Sequence, residues 1–247
     1  MVPAILLVGA GGIGSPCALA LAHQASRLAP GAPPWSLLVA DDDLVDRSNL
    51  HRQILFGEAD VGTPKLDALA RAVTGVAPQL SVELHRGRLL PDVALELVSR
   101  AAVVVDATDN FASRFLASDA ARLAGRPIVH AASVRWHATV LAASATGRPC
   151  YRCLFEDLPG AGAPDCATAG VVGPVCGVAG ALAAALTLAI LAGDSAIFGH
   201  VHTYDGRADR LRRVAFRPRA GCPSCGASPS IDSVDPDRYL AQSCDSP

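Results

Sequence analysis

A glycine-rich turn near the start of the chain is the first place where residue type and spacing suggest chemistry. Four glycines follow a short apolar run and precede an Ala- and Leu-rich segment: Gly9, Gly11, Gly12 and Gly14. Glycines let a backbone approach phosphate groups, and the N-terminus of a following helix favours anions. Asp41 ends the next apolar run, where a carboxylate can accept hydrogen bonds from ribose hydroxyls. This pattern predicts an adenine-nucleotide site, and a nicotinamide dehydrogenase would show it too.

A second set of polar residues is harder to reconcile with a dehydrogenase, which performs no phosphoryl chemistry. The set comprises Asp43, Ser48, Asn49, Arg52, Lys65, Asp109 and Asn110. Arg52 and Lys65 could clamp a triphosphate, and Asn49 could donate a hydrogen bond to it. Asp109 follows a buried strand pattern, which puts it at the carboxyl edge of the predicted sheet, where ligands bind. A carboxylate there could hold Mg²⁺ and offset the charge that develops on pyrophosphate.

Four of the eight cysteines form two C-x-x-C pairs that are far apart in the sequence: Cys150 with Cys153, and Cys222 with Cys225. Paired motifs in a chain without a secretory signal indicate metal ligands rather than disulfides. Four thiolates would complete a tetrahedral zinc site and leave no position open for water. We therefore predict that this zinc is structural and takes no part in catalysis.

Short apolar runs alternate with helical patterns through the first part of the sequence. The predicted strands are 4–8, 36–40, 81–84, 103–105 and 127–130, and the predicted helices are 13–28, 64–73 and 111–123. Such alternation favours a Rossmann-like α/β fold, a mostly parallel sheet with helices on both faces. The carboxyl ends of parallel strands share one edge, so the polar residues that follow the strands should meet there.

The pattern changes after about residue 136. Strand-like runs at 138–142, 201–204 and 211–216 surround a long apolar segment, 171–192. That segment is long enough to span a bilayer. Ala and Gly dominate it, however, and it lacks flanking Lys/Arg clusters and aromatic belts, so we predict a buried or interface helix. The residues from 227 onward are polar and contain Pro and Ser, which predicts a loose tail.

Bulk composition narrows the range of partners. The 247 residues are 51% apolar and 18% charged, which is typical of a globular chain. The net charge of −2 gives no overall field that would attract nucleic acid or an anionic membrane. The first residues have neither the charged start nor the long apolar core of a signal peptide, so we expect a cytoplasmic protein.

Seven motifs follow one another along the sequence: the glycine turn, Ser48-Asn-Leu-His-Arg-Gln53, Pro64-Lys65, Asp109-Asn110, Cys150-x-x-Cys153-Leu154, Gly170-Val-Val-Gly-Pro174 and Cys222-x-x-Cys225-Gly226. In these motifs and their order, the sequence strongly resembles the ThiF/MoeB/HesA family, the bacterial relatives of ubiquitin-activating enzymes, from residue 5 to residue 226. The fold that this resemblance implies is the same α/β fold, extended by a C-terminal part that carries the four-cysteine zinc site.

The resemblance also implies an activity. In this family the residues that bind Mg-ATP match Gly12, Asp41, Asn49, Arg52, Lys65, Asp109 and Asn110. The acceptor is the C-terminal glycine carboxylate of a small β-grasp carrier protein that ends in Gly-Gly. This carboxylate attacks the α-phosphate and gives an acyl-adenylate and pyrophosphate. The expected cofactors are therefore ATP, Mg²⁺ held by Asp109, and a structural Zn²⁺.

The resemblance divides the chain into functional parts. Residues 1–135 are the expected ATP-binding part, 136–226 the zinc-bearing, carrier-binding and dimerisation part of the same domain, and 227–247 a polar tail. Cys166 resembles a cysteine that in some members bonds covalently to the carrier or to sulfur, although no adjacent base would activate it. The apolar helix is unusually poor in charge for this family, and a homodimer interface would cover it.

Other classes of protein stay open at this stage. An NAD-dependent oxidoreductase would need neither Lys65 nor Asp109. A catalytically weak, nucleotide-binding partner protein is suggested because an N-terminal arginine, which relatives place at the ATP of the partner subunit, has no counterpart before the first strand. His130 stands where relatives often carry glycine, and we predict that it is structural. The pathway could be molybdopterin, thiamine, another sulfur metabolite or protein tagging.

Overall fold

The computed structural model describes residues 2–28, 35–159 and 169–240, and an eight-stranded sheet lies at its centre. The strands are β1 (Ala4–Val8), β2 (Ser36–Ala40), β3 (Val82–His85), β4 (Val103–Asp106), β5 (Ile128–Val134), β6 (His137–Ala143), β7 (His200–Asp205) and β8 (Arg210–Ala215). Their order in the sheet is β3-β2-β1-β4-β5-β6-β7-β8. The first five strands in this order pair in parallel, whereas β6, β7 and β8 are each antiparallel to the preceding strand.

Helices cover both faces of the sheet. They are α1 (Gly14–Ser26), α2 (Lys65–Val76), α3 (Pro91–Ser99), α4 (Phe111–Leu123), the short α5 (Tyr151–Leu154) and α6 (Gly173–Leu191). An apolar core with α1, α2 and α6 lies on one face, and a second core with α3 and α4 lies on the other. Because both faces are covered, β4 is buried along its whole length. The predicted Rossmann-like, mostly parallel α/β fold is confirmed.

Strand order reverses between β1 and β4, and this reversal determines where a ligand can bind. After β1 the chain builds β2 and β3 on one side, and it then crosses to build β4 and β5 on the other. The loops that follow β1 and β4 therefore diverge and leave a crevice at the carboxyl ends of these two strands. In open α/β sheets such a switch point is the usual position of a ligand.

The apolar helix α6 is an integral part of one helical layer. By length and composition it could cross a membrane, with a mean hydropathy of 2.1, but the buried core helix of a soluble protein meets the same criterion. Its inner side packs on α1 so closely that a Cβ atom at Gly180 would lie 2.6 Å from the carbonyl oxygen of Ile13. Its outer side exposes small residues, among them Ala181 and Ala185.

The structure differs from the sequence-based expectation in helix α3 and in the C-terminal segment. Helix α3 was not predicted, although Pro91 at its first position and buried Leu97 are consistent with a helix. The expectation of a loose tail is wrong for residues 227–240. There, Ile231 and Tyr239 are buried, and the Tyr239 hydroxyl donates a 3.1 Å hydrogen bond to Asp119 on α4.

Candidate active site

The glycine turn between β1 and α1 forms the floor of a cleft at the switch point. Gly9 has a φ of +94°, a backbone conformation that side chains other than glycine rarely adopt. A Cβ atom at Gly14 would lie 1.9 Å from the carbonyl oxygen of Gly9, so only glycine fits there. The N-cap residue of α1, Ile13, has no side chain that could accept a hydrogen bond. The Ser15 N–H already donates to the Gly11 carbonyl oxygen, and Pro16 has no N–H. An anion would therefore meet the N–H groups of the turn itself, at Gly11 and Gly12, which line the cleft.

Asp41 is held at the end of β2 by two backbone donors. Its carboxylate accepts hydrogen bonds from the N–H groups of Ala10, at 2.7 Å, and Asp43, at 2.8 Å. Burial raises the pKa of the Asp41 carboxyl above its usual value, and the Ala10 hydrogen bond and the charge on Lys65 lower it only in part. The carboxylate therefore has one orientation, beside the glycine turn, as a ribose-binding residue requires.

Two cations reach the cleft from the segment that follows β2. Lys65 begins α2, and its buried ammonium group lies 2.6 Å from Oδ2 of Asp43. Arg52 is half-buried, and its aliphatic stem passes so close to Gly12 that a Cβ atom there would lie 3.1 Å from it. The ion pair with Asp43 fixes the position of the Lys65 charge before any ligand binds.

The loop after β4 carries Asp109, and a buried network holds this loop in place. Asp106 is fully buried, and it accepts hydrogen bonds from the Thr108 N–H at 3.0 Å and from the Thr108 hydroxyl at 2.6 Å. Nδ1 of His130 lies 2.7 Å from its other oxygen, and Arg114 donates to the carbonyl of Thr108. Burial by itself raises the pKa of Asp106, but the His130 and Thr108 hydrogen bonds and the Arg114 charge hold it below its usual value.

These elements enclose a cavity of about 280 Å³, which we call the nucleotide cleft. Ten of the twelve residues predicted for the nucleotide line it: Gly9, Gly11, Gly12, Asp41, Asp43, Asn49, Arg52, Lys65, Asp109 and Asn110. The other two, Gly14 and Ser48, are not lining residues. Gly14 packs beneath the turn, and the exposed Ser48 gives its N–H to the Asp46 carboxylate. Asn110 also caps α4, because its side chain accepts a 2.9 Å hydrogen bond from the Ser113 N–H.

Sequence reasoning missed several residues of the cleft, among them Gln53, Arg88, Thr108 and Arg114. Arg88 follows β3 and binds both oxygens of Asp42 at 3.0 Å. The rule that ligands meet strand ends could have found Arg88, since it follows a predicted strand. Arg114 lies one turn inside α4, where spacing from a strand end gives no signal.

A second cavity adjoins the nucleotide cleft, and we call it the apolar cavity. It has a volume of about 200 Å³, and Asp109 and Arg114 line both cavities. Its other lining residues are Phe111, His130, Ala132, Val134, Thr139, Leu141, Tyr151 and Phe155. Most of these side chains are aliphatic or aromatic, so the cavity suits a ligand with little charge beyond the end that meets the cleft.

The four paired cysteines meet in one cluster beside α5. Their sulfur atoms all lie within 4.8 Å of one another, with 3.5 Å between Cys150 and Cys222 and 3.3 Å between Cys153 and Cys225. Tetrahedral zinc with thiolates at about 2.3 Å needs sulfurs about 3.8 Å apart, so the group fits such an ion. Cys166, the remaining predicted site residue, lies outside the described residues.

A buried ion pair ties the cysteine cluster to the core. Arg152, within the first cysteine pair, donates from Nε to Oδ1 of Asp119 at 3.0 Å and from Nη2 to Oδ2 at 2.9 Å. Both side chains are at most 2% exposed, and the Tyr239 hydroxyl donates to the same carboxylate. The cluster is therefore anchored to α4, which also carries Arg114 of the cleft.

A mostly parallel, doubly covered sheet with a glycine turn, a carboxylate and fixed cations at its switch point defines a nucleotide-binding α/β protein of the Rossmann-like class. A family model described as the ThiF family matches residues 3–225. The chain belongs to this family. The family predicted from the motifs is confirmed, as is the enzyme class, an adenylyltransferase of the MoeB/ThiF type.

Curated relatives resemble the chain over most of its length. The SAMP-activating enzyme E1 of Haloferax volcanii is 38% identical over 97% of this chain and 86% of its own length. The sulfur carrier protein ThiS adenylyltransferase of Escherichia coli is 37% identical, over 91% and 86% respectively. The chain spans only 52% of a third relative, the adenylyltransferase and sulfurtransferase MOCS3 of Aedes aegypti, at 36% identity. Among solved structures, E. coli MccB with ATP matches with a TM-score of 0.73 and 21% identity, over 91% of this chain and 67% of that chain. This similarity shows the fold alone.

Proposed function

We propose that this chain uses Mg-ATP to adenylate the C-terminal glycine carboxylate of a small β-grasp carrier protein, with release of pyrophosphate. The observation that carries the proposal is the convergence of Arg52, Lys65 and Asp109 on one cleft whose floor is a glycine turn. Two of the relatives described above are named for action on SAMP and on the sulfur carrier ThiS, which supports an acceptor of the ubiquitin-like kind.

The charges of the cleft suit this reaction because its chemistry needs cations rather than a base. A terminal carboxylate is already ionised at neutral pH. Its attack on the α-phosphate builds negative charge there and on the departing pyrophosphate, and preorganised positive groups stabilise that charge. Lys65 and Arg52 would contact the phosphates, and Asp41 the ribose. A Mg²⁺ ion, when bound, would neutralise phosphate charge, and Asp109 is the residue that would hold it.

The apolar cavity suits the end of the carrier chain. It meets the nucleotide cleft at Asp109 and Arg114, which would lie beside the reacting carboxylate. A tail that ends in Gly-Gly has no side chains to accommodate, so a cavity of about 200 Å³ can take its last residues. The carrier's folded body would then rest outside the cavity. The chain's own pathway, including any covalent step at Cys166, stays a prediction.

We infer that the cysteine cluster holds one structural zinc ion. Burial and the neighbouring thiols raise the pKa of the Cys150 thiol well above its usual value, so four thiolates at this position need a cation to offset their charge. The four sulfurs would fill every position of a tetrahedral ion, which leaves no place for a catalytic water.

We also infer a homodimer in the cytoplasm, with α6 at the interface. The exposed outer side of α6 consists of small apolar residues, such as Ala181 and Ala185, that a second copy could cover without burying charge.

Exchange of labelled pyrophosphate into ATP tests the proposed activity. The substrates are small proteins that end in Gly-Gly and are encoded beside this gene, each prepared with a free C-terminus and with a C-terminal amide. We expect exchange with a free carboxylate and none with the amide, because only the carboxylate can attack the α-phosphate. Exchange that is the same with both forms would overturn the proposal. ATP binding with no exchange would indicate a catalytically weak nucleotide-binding protein instead.

A further inference from the structure

His130 is a buried histidine with two different ring nitrogens. Its side chain is 2% exposed, and Nδ1 lies 2.7 Å from Oδ2 of Asp106. A carboxylate can only accept at that contact, so the neutral ring carries its proton on Nδ1. Nε2 then presents a lone pair and can accept a hydrogen bond.

Nε2 of His130 has no hydrogen-bond partner among the residues that the structure describes. A buried polar atom without a partner is costly, commonly by about 1–3 kcal/mol, and most such atoms in folded proteins find a partner. His130 is one of the residues that line the apolar cavity, and its ring packs against the Tyr151 ring at 4.6 Å between centroids. Because Nε2 itself is buried, a donor bound in this cavity reaches the nitrogen only when a neighbouring side chain shifts, and it would then satisfy it.

The Asp106 carboxylate has partners in addition to His130. The positive charge of Arg114 lowers the pKa of the Asp106 carboxyl, and Thr108 donates two hydrogen bonds to the same carboxylate. The buried carboxylate therefore has a cation beside it already.

A carrier tail that ends in Gly-Gly brings only backbone polar groups into the cavity. Each buried N–H needs an acceptor, or its desolvation weakens binding. Most of the cavity wall is aliphatic or aromatic. Nε2 of His130 is thus an acceptor without a donor, next to a ligand that supplies donors.

We propose that His130 is a specificity-determining residue, whose Nε2 accepts a hydrogen bond from the backbone N–H of the carrier's last peptide bond in the apolar cavity. This inference rests on the proposed function. It assigns to His130 a direct contact with substrate, in addition to the structural role that the sequence predicted.

A pair of semisynthetic carriers tests the contact. One carrier has the normal peptide bond between its last two glycines. In the other carrier an ester replaces this bond, so that the N–H is missing and the terminal carboxylate is kept. Pyrophosphate exchange with each carrier is measured for wild type, His130→Asn and His130→Gln. The Asn amide can still donate to Asp106. The Gln amide oxygen can still accept a hydrogen bond near the position of Nε2.

For wild type we expect kcat/KM to be about three- to tenfold lower with the ester than with the amide, the usual worth of one hydrogen bond. His130→Gln should retain this preference, and His130→Asn should treat the two carriers alike. Equal ester penalties in wild type and His130→Asn would overturn the contact while leaving the adenylation reaction intact. Absence of exchange with either carrier in wild type would instead overturn the proposed function.

A spectroscopic readout avoids substitutions altogether. Wild-type protein with ¹⁵N-labelled histidine rings is titrated, in the presence of a non-hydrolysable ATP analogue, with each of the two carriers. The Nε2 resonance of His130 should move on addition of the amide carrier and move much less with the ester carrier. A resonance that both carriers move equally, or that neither moves while both bind, would contradict the proposal.

Discussion

Arg52 and Lys65 reach the nucleotide cleft from differently packed positions. Lys65 is buried and paired with Asp43, so its charge is fixed, whereas Arg52 is half-buried and has no carboxylate partner among the described residues. Removing the Arg52 guanidinium therefore affects the cleft without breaking an ion pair of the described fold. This makes Arg52 the cleaner position at which to measure what one cation contributes to catalysis.

Arg52→Ala should lower carrier-dependent pyrophosphate exchange by on the order of a hundredfold, because a preorganised charge on the phosphates is lost. Arg47→Ala is the matched control. Arg47 lies in the same segment, but it pairs with Glu58 on the surface, where both side chains are at least 65% exposed. Its loss should leave both exchange and the free energy of unfolding within error of wild type. Equal losses in the two variants would show that Arg52 does not act on the phosphates.

Residue type and position relative to strand ends were enough to predict most of the cleft, including Asp41, Arg52 and Asp109. The Asp106–His130 contact could not be predicted in this way. It depends on the register of β4 against β5, in which these two residues are direct partners. Twenty-three residues separate them in the sequence, and spacing alone contains no information on that register.

The longer helices of the first part of the chain were predicted, and the short helix α3 was not. The bounds of α4 match the prediction to the residue, and Asn110 caps its first turn. Helix α3 has only nine residues and buries three of them, Ala94, Leu97 and Val98, so its apolar pattern is too short to stand out. The contact between α1 and α6 could not be predicted either, since a glycine in an Ala-rich helix does not show which other helix packs against it.

The close approach of α6 to α1 depends on a single glycine. In Gly180→Ala the new Cβ would lie 2.6 Å from the carbonyl oxygen of Ile13 and 2.9 Å from the backbone nitrogen of Cys17, so the helices must move apart. We expect the free energy of unfolding to fall by about 1–3 kcal/mol in denaturant titrations.

Gly177→Ala, one turn earlier in the same helix, is the control for helix propensity. A Cβ atom at Gly177 would meet nothing within 4 Å, so this change should be neutral or stabilise by up to about 1 kcal/mol. If both alanine variants have the same stability, the packing of α6 on α1 is not as close as described.

At the scale of the whole molecule, the sequence predicted the components better than their arrangement. The parallel half of the sheet was predicted because strands alternate with helices there. That β6, β7 and β8 extend the same sheet in antiparallel order depends on pairings between distant segments. The second cysteine pair follows β8 in the chain, and the ligands of the cluster come from two segments 72 residues apart.

The zinc content of variants tests whether the cysteine cluster binds a structural ion that links these two segments. Cys222→Ser should lose most of about one zinc per chain and unfold at a lower denaturant concentration, because metal binding adds to folding stability. Cys17→Ala is the control, since Cys17 is buried in α1 and belongs to a different core. It should keep its zinc. Stoichiometric zinc in Cys222→Ser, or disulfide-bonded cysteines in the native protein, would refute the assignment.

The outer side of α6 is the surface at which we expect two copies to meet. Light scattering of the wild-type protein should give the mass of a dimer. Ala185→Arg should give a monomer with an unchanged circular dichroism spectrum, because Ala185 is exposed in a single copy and a charge there opposes an apolar interface. A wild-type monomer, or a dimer that Ala185→Arg does not weaken, would place the interface elsewhere.

The central claim, that the cleft transfers an adenylyl group to a carboxylate, is tested most directly by the intact mass of the carrier. The carrier, ATP, Mg²⁺ and inorganic pyrophosphatase are incubated with the enzyme, and the acid-quenched carrier is weighed by mass spectrometry. We predict a carrier heavier by one adenylyl group with wild type and on the order of a hundredfold less of it with Asp109→Ala, which lacks the Mg²⁺ ligand. An unmodified carrier with wild type, together with binding of NADH rather than ATP, would contradict the account.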